Sequence, residues 1–66
     1  MILFGKKKKT CQVIIKSANR VVLIKFIKLP MLGEDLIVPY KGENHLVKVV
    51  EIIENKLTQI FAEEID

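Results

Sequence analysis

The 66-residue chain has little of the residue types on which redox, metal and nucleophilic chemistry depends: one cysteine, one histidine and no tryptophan. Cys11 has no partner for a disulfide within the chain. Cys11 and His45 together cannot supply the four ligands of a structural zinc site. The three glycines stand far apart, so the glycine motifs that bind phosphates or dinucleotides are missing. We therefore predict a non-enzymatic protein that uses no metal and no cofactor.

Long apolar runs are also missing. No stretch approaches the roughly 18 apolar residues of a membrane-spanning helix. The apolar residues at the start precede the lysines, which reverses the order found in a secretory signal. We expect a cytoplasmic protein without membrane association. Residues 1–66 should form a single domain, in which 1–9 are a flexible basic segment.

The chain is rich in apolar residues, which make up 50% of it. A domain of this size buries only about 60% of the surface that its unfolded chain exposes. Because disulfides and metals are excluded, the chain depends on its apolar content or on association with further copies.

β-branched and aromatic residues recur in short runs, a pattern that predicts strands. Asn19 lies in the first turn and suits a left-handed backbone. Pro30 and Pro39 should each end a strand, because proline has no N–H to donate. For the last segment a helix is the alternative, since its alanine and glutamates favour helix. The predicted strands are 10–17, 20–29, 36–38, 46–54 and 57–65.

Five short strands of this kind can close into a small barrel, which removes exposed sheet edges. In LPMLGEDLIV, residues 29–38, an apolar strand ends in proline and Gly-Glu-Asp opens the next strand; HLVKVVEII follows at 45–53. This layout resembles the Src-homology-3-like barrels of small phage and bacterial proteins. The resemblance implies a barrel with a binding role and assigns no functional residues. We predict an all-β fold, a small five-stranded antiparallel barrel.

The second predicted strand is apolar on both faces, and 46–53 shows the same pattern. A strand with one face in water normally carries polar residues on that face. We therefore predict a homo-oligomer, in which a second copy covers one face. The alternative is that the curvature of a small barrel covers both faces. The predicted interface consists of Val22, Ile24 and Phe26.

Basic residues and one polar loop provide the candidate ligand contacts. Four consecutive lysines precede the first strand and could bind phosphates, or they keep a strand edge soluble. Lys25 either extends to the rim of its apolar strand or lines a pocket. The loop after Pro39 offers an aromatic ring, a charge and hydrogen-bonding groups. The predicted ligand-binding residues are Lys6, Lys7, Lys8, Lys9, Lys25, Tyr40, Lys41, Asn44 and His45.

The charge distribution favours an anionic ligand. The formal net charge is +3, with basic residues concentrated in the front half and acidic residues towards the end. We predict a small oligomeric barrel that binds nucleic acid or a free nucleotide, although aromatic residues for base stacking are few, at 6%. The alternative is a protein-interaction or assembly module that pairs its strands with a partner, such as a phage protein that inhibits a host enzyme or defence system.

Overall fold

The computed structural model describes residues 8–65 as five β-strands. Within these residues the strand predicted for the last segment is confirmed, and the helical alternative does not occur. None of them forms a helix of the length and apolarity that crossing a membrane requires. Lys6, Lys7 and most of the predicted flexible segment lie outside the described part, whereas Lys9 already belongs to the first strand. The strands are β1 Lys9–Ile15, β2 Arg20–Phe26, β3 Asp35–Tyr40, β4 Glu43–Ile53 and β5 Thr58–Glu64.

The strands form one sheet in the order β2-β1-β5-β4-β3, which curves into a nearly closed small barrel. The predicted all-β, five-stranded barrel is confirmed, and a Src-homology-3-like barrel fits it. Three pairings are antiparallel as predicted, whereas β1 pairs with β5 in parallel. The order therefore departs from a simple meander, because β2 and β3 are consecutive in the chain but lie at opposite edges of the sheet.

The core lies on the inner face of this sheet and is built from small side chains. Alternate residues of β1 and β5 point inward, as the period of two in a strand requires. The side chains of β2 that face the core are those of the predicted oligomer interface: Val22, Ile24 and Phe26 are half-buried against it. The fully buried side chains are Cys11, Val13, Ile15, Val38, Val47, Val49, Thr58, Ile60 and Ala62.

A β-bulge explains why β4 is apolar on both faces. The pairing with β5 shifts between Val49 and Glu51, so Val50 is an extra residue. Val47 and Val49 point inward before the bulge, and Ile52 packs on the core after it. The inward positions therefore change from odd to even numbers within one strand. In β4 the two-sided apolar pattern therefore reflects this change of face and does not require a second covering layer.

Two turns use left-handed backbone conformations. Asn19 has φ of 52°, which confirms the prediction made for it. Between β3 and β4, Lys41 and Gly42 have φ of 53° and 75°. Two consecutive residues of this kind form the primed turn whose twist matches that of a two-residue β-hairpin.

The two prolines do not end strands as predicted. Pro39 lies within β3 and pairs with Asn44; β3 is an edge strand, where a residue without an N–H is tolerated. β2 ends at Phe26, before Pro30 is reached. Pro30 is buried in the loop that follows.

Candidate functional site

Lysine side chains converge at one end of the barrel. β1 begins where β2 ends, so Lys9 pairs with Phe26 and Lys25 pairs with Thr10. Because β5 runs parallel to β1, the loop before Thr58 reaches the same end. Five exposed lysines therefore share this region, which we call the lysine end: Lys8, Lys9, Lys25, Lys28 and Lys56.

The lysine end carries charge that the described residues do not neutralise. Among residues 8–65, the ion pairs join Lys48 to Asp35 and His45 to two glutamates, and none involves the lysine end. Residues 8–65 also enclose no cavity there or elsewhere. Glu54 follows the end of β4 and lies at the same end of the barrel. The lysine end is thus an open surface on which five lysines outnumber this one carboxylate.

A second polar group, which we call the Tyr40 cluster, lies at the opposite end of β1 and β5. The rings of Tyr40 and His45 stack with centroids 3.7 Å apart and planes 15° from parallel. The Tyr40 hydroxyl donates to Glu64 Oε2 over 3.1 Å, and His45 Nδ1 lies 3.2 Å from the same oxygen. One carboxylate of β5 therefore holds two side chains of the β3–β4 hairpin.

Further contacts tie the Tyr40 cluster to the turn between β1 and β2. The Glu64 N–H donates to Ser17 Oγ over 3.0 Å, and the Arg20 guanidinium lies 5.5 Å from the centre of the Tyr40 ring, within the range of a cation–π interaction. Removal of the hydroxyl from water, then the hydrogen bond and the negative charge of Glu64, raise the pKa of Tyr40.

The contacts of the Tyr40 cluster connect strand ends and leave little for a substrate. Both Glu64 oxygens are engaged, by Tyr40 and His45 on one side and by Ser17 on the other. The other nitrogen of His45, Nε2, is buried without a hydrogen bond to residues 8–65 and lies 3.9 Å from Glu43 Oε1. We interpret the cluster as a clasp that joins the β3–β4 hairpin to β5 and β2.

The structure separates the residues predicted to bind a ligand. Lys8, Lys9 and Lys25 lie at the lysine end, and the polar loop residues lie at the opposite end. Lys9 and Ile15, the two ends of β1, are six residues apart, or about 20 Å at 3.3 Å per residue. Tyr40 and His45 contact each other, whereas Lys41 and Asn44 are exposed and form no side-chain hydrogen bond to residues 8–65.

Several residues of these two regions escaped the sequence analysis. Lys28 follows β2 and reaches the lysine end through the β1–β2 hairpin, whereas Lys56 belongs to it only because β5 runs beside β1, a pairing that no local pattern indicates. Ser17, Arg20 and Glu64 meet at the opposite end for the same reason. Their spacing in the sequence carries no signal for either region.

The single cysteine is a core residue. Cys11 is fully buried between β2 and β5, and burial raises the pKa of its thiol, opposed in part by the charge of Lys9. His45 lies at the other end of the barrel, so it is no base for this thiol. Within residues 8–65 no group of three or more histidine, cysteine or acidic side chains is placed to hold a metal ion.

Comparison of the chain with protein family models, with curated proteins and with solved structures gave no match. The fold places the chain in the class of small five-stranded β-barrels, and the geometry of its own residues carries the functional argument.

Proposed function

We propose that the protein is a non-enzymatic barrel that binds an anionic ligand, nucleic acid or a free nucleotide, through its lysine end. The observation that carries this proposal is the convergence of five exposed lysines without carboxylate partners among residues 8–65. Lysine side chains that neutralise phosphates release condensed counterions, and this release drives non-specific nucleic-acid binding.

Of the two ligands, a nucleic acid suits this surface better. A free nucleotide needs a concave site that buries most of its surface, and residues 8–65 enclose no such cavity. Among residues 8–65 the aromatic side chain at this end is that of Phe26, which is half-buried against the core and offers no open stacking face. Contact with the phosphate backbone, without base stacking, fits an open group of lysines.

The test is a titration of fluorescent duplex DNA at several salt concentrations. If each of five lysines meets one phosphate, log K should fall against log salt with a slope of about −4.5, from −0.9 per phosphate. Lys9→Gln with Lys28→Gln should make that slope shallower by about 1.8. Lys41→Gln with Lys48→Gln removes the same charge at a distance and should leave the slope unchanged.

One outcome would overturn the proposal, and a second would decide between its two ligands. Equal effects of the two double variants would mean that binding follows net charge and not the lysine end. Saturable binding of a free nucleotide, without a salt-dependent affinity for duplex, would reject the nucleic acid and leave the nucleotide.

A second candidate function is a protein-interaction module. The loop between β2 and β3 exposes Ile27, Met31 and Leu32, each more than half accessible to water, and exposed apolar groups of this kind mark interaction surfaces. In such a module the lysine end would be dispensable. Wild-type protein without measurable affinity for duplex DNA at low salt would favour this function.

A further inference from the structure

The outer edge of β2 has no backbone partner among residues 8–65. β2 stands first in the sheet order and pairs only with β1. The Lys16 N–H donates to the Ala62 carbonyl of β5. Because successive residues of a strand direct their backbone groups to opposite sides, the even-numbered residues of β1 face β5 and the odd-numbered ones face β2. In β2 the backbone N–H and C=O groups that point away from β1 are therefore those of Val21, Leu23 and Lys25.

The β2 edge lacks several features that protect free strand edges. Such edges are commonly very short, or they carry a proline or a β-bulge. β2 has seven residues without proline or glycine, and its register with β1 is regular. The opposite edge strand, β3, contains Pro39, and its Asp35 pairs with Lys48 over 3.0 Å. Of the two edges, β2 is therefore the one at which a further strand can pair.

Apolar side chains accompany the unpaired backbone of β2. On the outer face Val21 and Leu23 are 58% and 63% exposed. On the inner face Val22, Ile24 and Phe26 are only half-buried against the core. Directly opposite residues of two paired strands lie about 4.5–5.5 Å apart, so a strand added beside β2 would cover both of these rows.

The charges of β2 indicate which kind of strand fits. β2 carries Arg20 and Lys25 and no acidic residue, and neither cation forms an ion pair with residues 8–65. A second copy that paired its own β2 here would bring like charges together, and lysine at a strand edge opposes such self-pairing. A strand with carboxylates opposite these two cations would instead gain from cross-strand charge pairing.

We propose that β2 binds an extended, apolar and acidic peptide segment of a partner protein by strand addition. Backbone hydrogen bonds to the free edge supply affinity, and the side chains supply specificity. In antiparallel pairing two carboxylates lie opposite Lys25 and Arg20, five residues apart and on opposite faces of the segment. Apolar residues between them cover Val21 and Leu23. This inference takes up the protein-interaction function and does not require that the lysine end binds nucleic acid.

A titration of the ¹⁵N-labelled protein followed by NMR tests the proposal. The probe is the peptide Thr-Glu-Val-Val-Val-Thr-Glu with blocked ends, which places its glutamates opposite Lys25 and Arg20. We expect the amide signals of Val21, Leu23 and Lys25 to shift, with a dissociation constant below about 1 mM. The control peptide has lysine in place of both glutamates, and it should bind about tenfold more weakly or less, because it sets like charges opposite each other.

Variants separate the backbone contribution from the charge contribution. Leu23→Pro removes an N–H that points away from β1, a position at which an edge strand tolerates proline, and it should weaken the acidic peptide about fivefold, the effect of one lost hydrogen bond. N-methylation of the central valine of the peptide should have a similar effect without any change to the protein. Circular dichroism checks that Leu23→Pro is folded.

Charge reversal provides the second comparison. Lys25→Glu should weaken binding of the acidic peptide several-fold and strengthen binding of the lysine peptide. Lys41→Glu is the matched control, because it makes the same charge change in the turn between β3 and β4, and it should leave both affinities unchanged. Leu23→Pro should also leave the salt dependence of duplex binding unchanged, so the peptide and nucleic-acid proposals can fail separately.

Four results would overturn the proposal. Unshifted amides of Val21, Leu23 and Lys25 up to about 2 mM acidic peptide would reject strand addition at β2. Shifts confined to β3 would move the pairing to the other edge. Equal affinity of the acidic and lysine peptides would reject an acidic partner. Shifts of the β2 amides with protein concentration alone would replace the peptide by a second copy, as in the homo-oligomer predicted from the sequence.

Discussion

At the scale of single residues, the core contains one polar group without a visible partner. Thr58 is fully buried, and its hydroxyl oxygen has no hydrogen bond to residues 8–65. A buried hydroxyl that gives up water without gaining a partner destabilises the folded state. From the sequence Thr58 is an ordinary strand residue. Its burial follows from the parallel pairing with Cys11, which local patterns do not reveal.

Replacing this hydroxyl by a methyl group should stabilise the protein. Thr58→Val keeps the shape of the side chain, so we expect the free energy of unfolding to rise by about 1 kcal/mol. Thr58→Ser is the control: it keeps the hydroxyl but removes a methyl group, and it should lower that free energy by about 1 kcal/mol. Urea denaturation measures both. A loss of stability in Thr58→Val would mean that the hydroxyl has a hydrogen-bond partner after all.

Tyr40 should make stability fall at alkaline pH. Its pKa is raised in the folded state above the ordinary value of 10.0, so the folded protein holds the phenolic proton more tightly than the unfolded chain. The stability gained in this way is complete below pH 10 and is lost as the pH rises through the folded pKa. Tyr40→Phe, which has no ionisable group, should lack this part of the decline.

The chain has a single tyrosine, so tyrosinate absorbance reports on Tyr40 alone. The midpoint of its titration should lie above 10 in the folded protein and near 10 in urea. Equal midpoints would show that the Glu64 contact does not form in solution. Glu64→Gln removes the negative charge and should bring the folded midpoint closer to 10.

At the scale of elements, the β3–β4 hairpin depends on two residues with left-handed backbone. Lysine is sterically unfavourable at the φ of 53° that Lys41 adopts, whereas glycine adopts the φ of 75° at Gly42 without strain. A non-glycine residue pays about 1–2 kcal/mol to adopt this conformation, and asparagine tolerates it best. The sequence analysis expected a polar loop here, after Pro39.

Substitutions in this hairpin should change stability in opposite directions. Lys41→Asn should raise the free energy of unfolding by up to about 1 kcal/mol, because Asn-Gly is the preferred pair for the turn. Gly42→Ala should lower it by about 1 kcal/mol. Nothing lies within 4 Å of the added Cβ at Gly42, so that cost is backbone strain alone. Thermal unfolding measures both, and an unchanged Gly42→Ala would contradict the left-handed geometry.

The elements themselves were largely predictable, and their exact extent was not. All five strands were expected, because runs of valine and isoleucine favour extended backbone. The prediction that Pro39 ends its strand was wrong, because the free-energy cost of a proline within a strand depends on whether that strand is central or at the edge of the sheet. The bulge at Val50 was hidden for a related reason. The bulge is defined by the pairing of β4 with β5. In the sequence alone this segment is an apolar run without the alternation of a regular strand.

At the scale of the whole molecule, the lysine end was only partly predictable. The lysines before β1 were expected to act together, since they are consecutive. Lys28 joins them through the β1–β2 hairpin and Lys56 through the sheet order, so residues from three separate segments lie at one end. The same order carries Tyr40 and His45 to the opposite end. The single predicted ligand site therefore divides into a cationic surface and a structural clasp.

The parallel pairing of β1 with β5 also determines when the chain can fold. These two strands supply six of the fully buried residues: Cys11, Val13, Ile15, Thr58, Ile60 and Ala62. They are separated by most of the chain, so their contacts are far apart in sequence and slow to form. Until β5 has been synthesised, the inner face of the β1–β2 hairpin has no partner strand to close the core. Folding of the barrel should therefore wait for β5, and a chain that ends before β5 should lack a closed core.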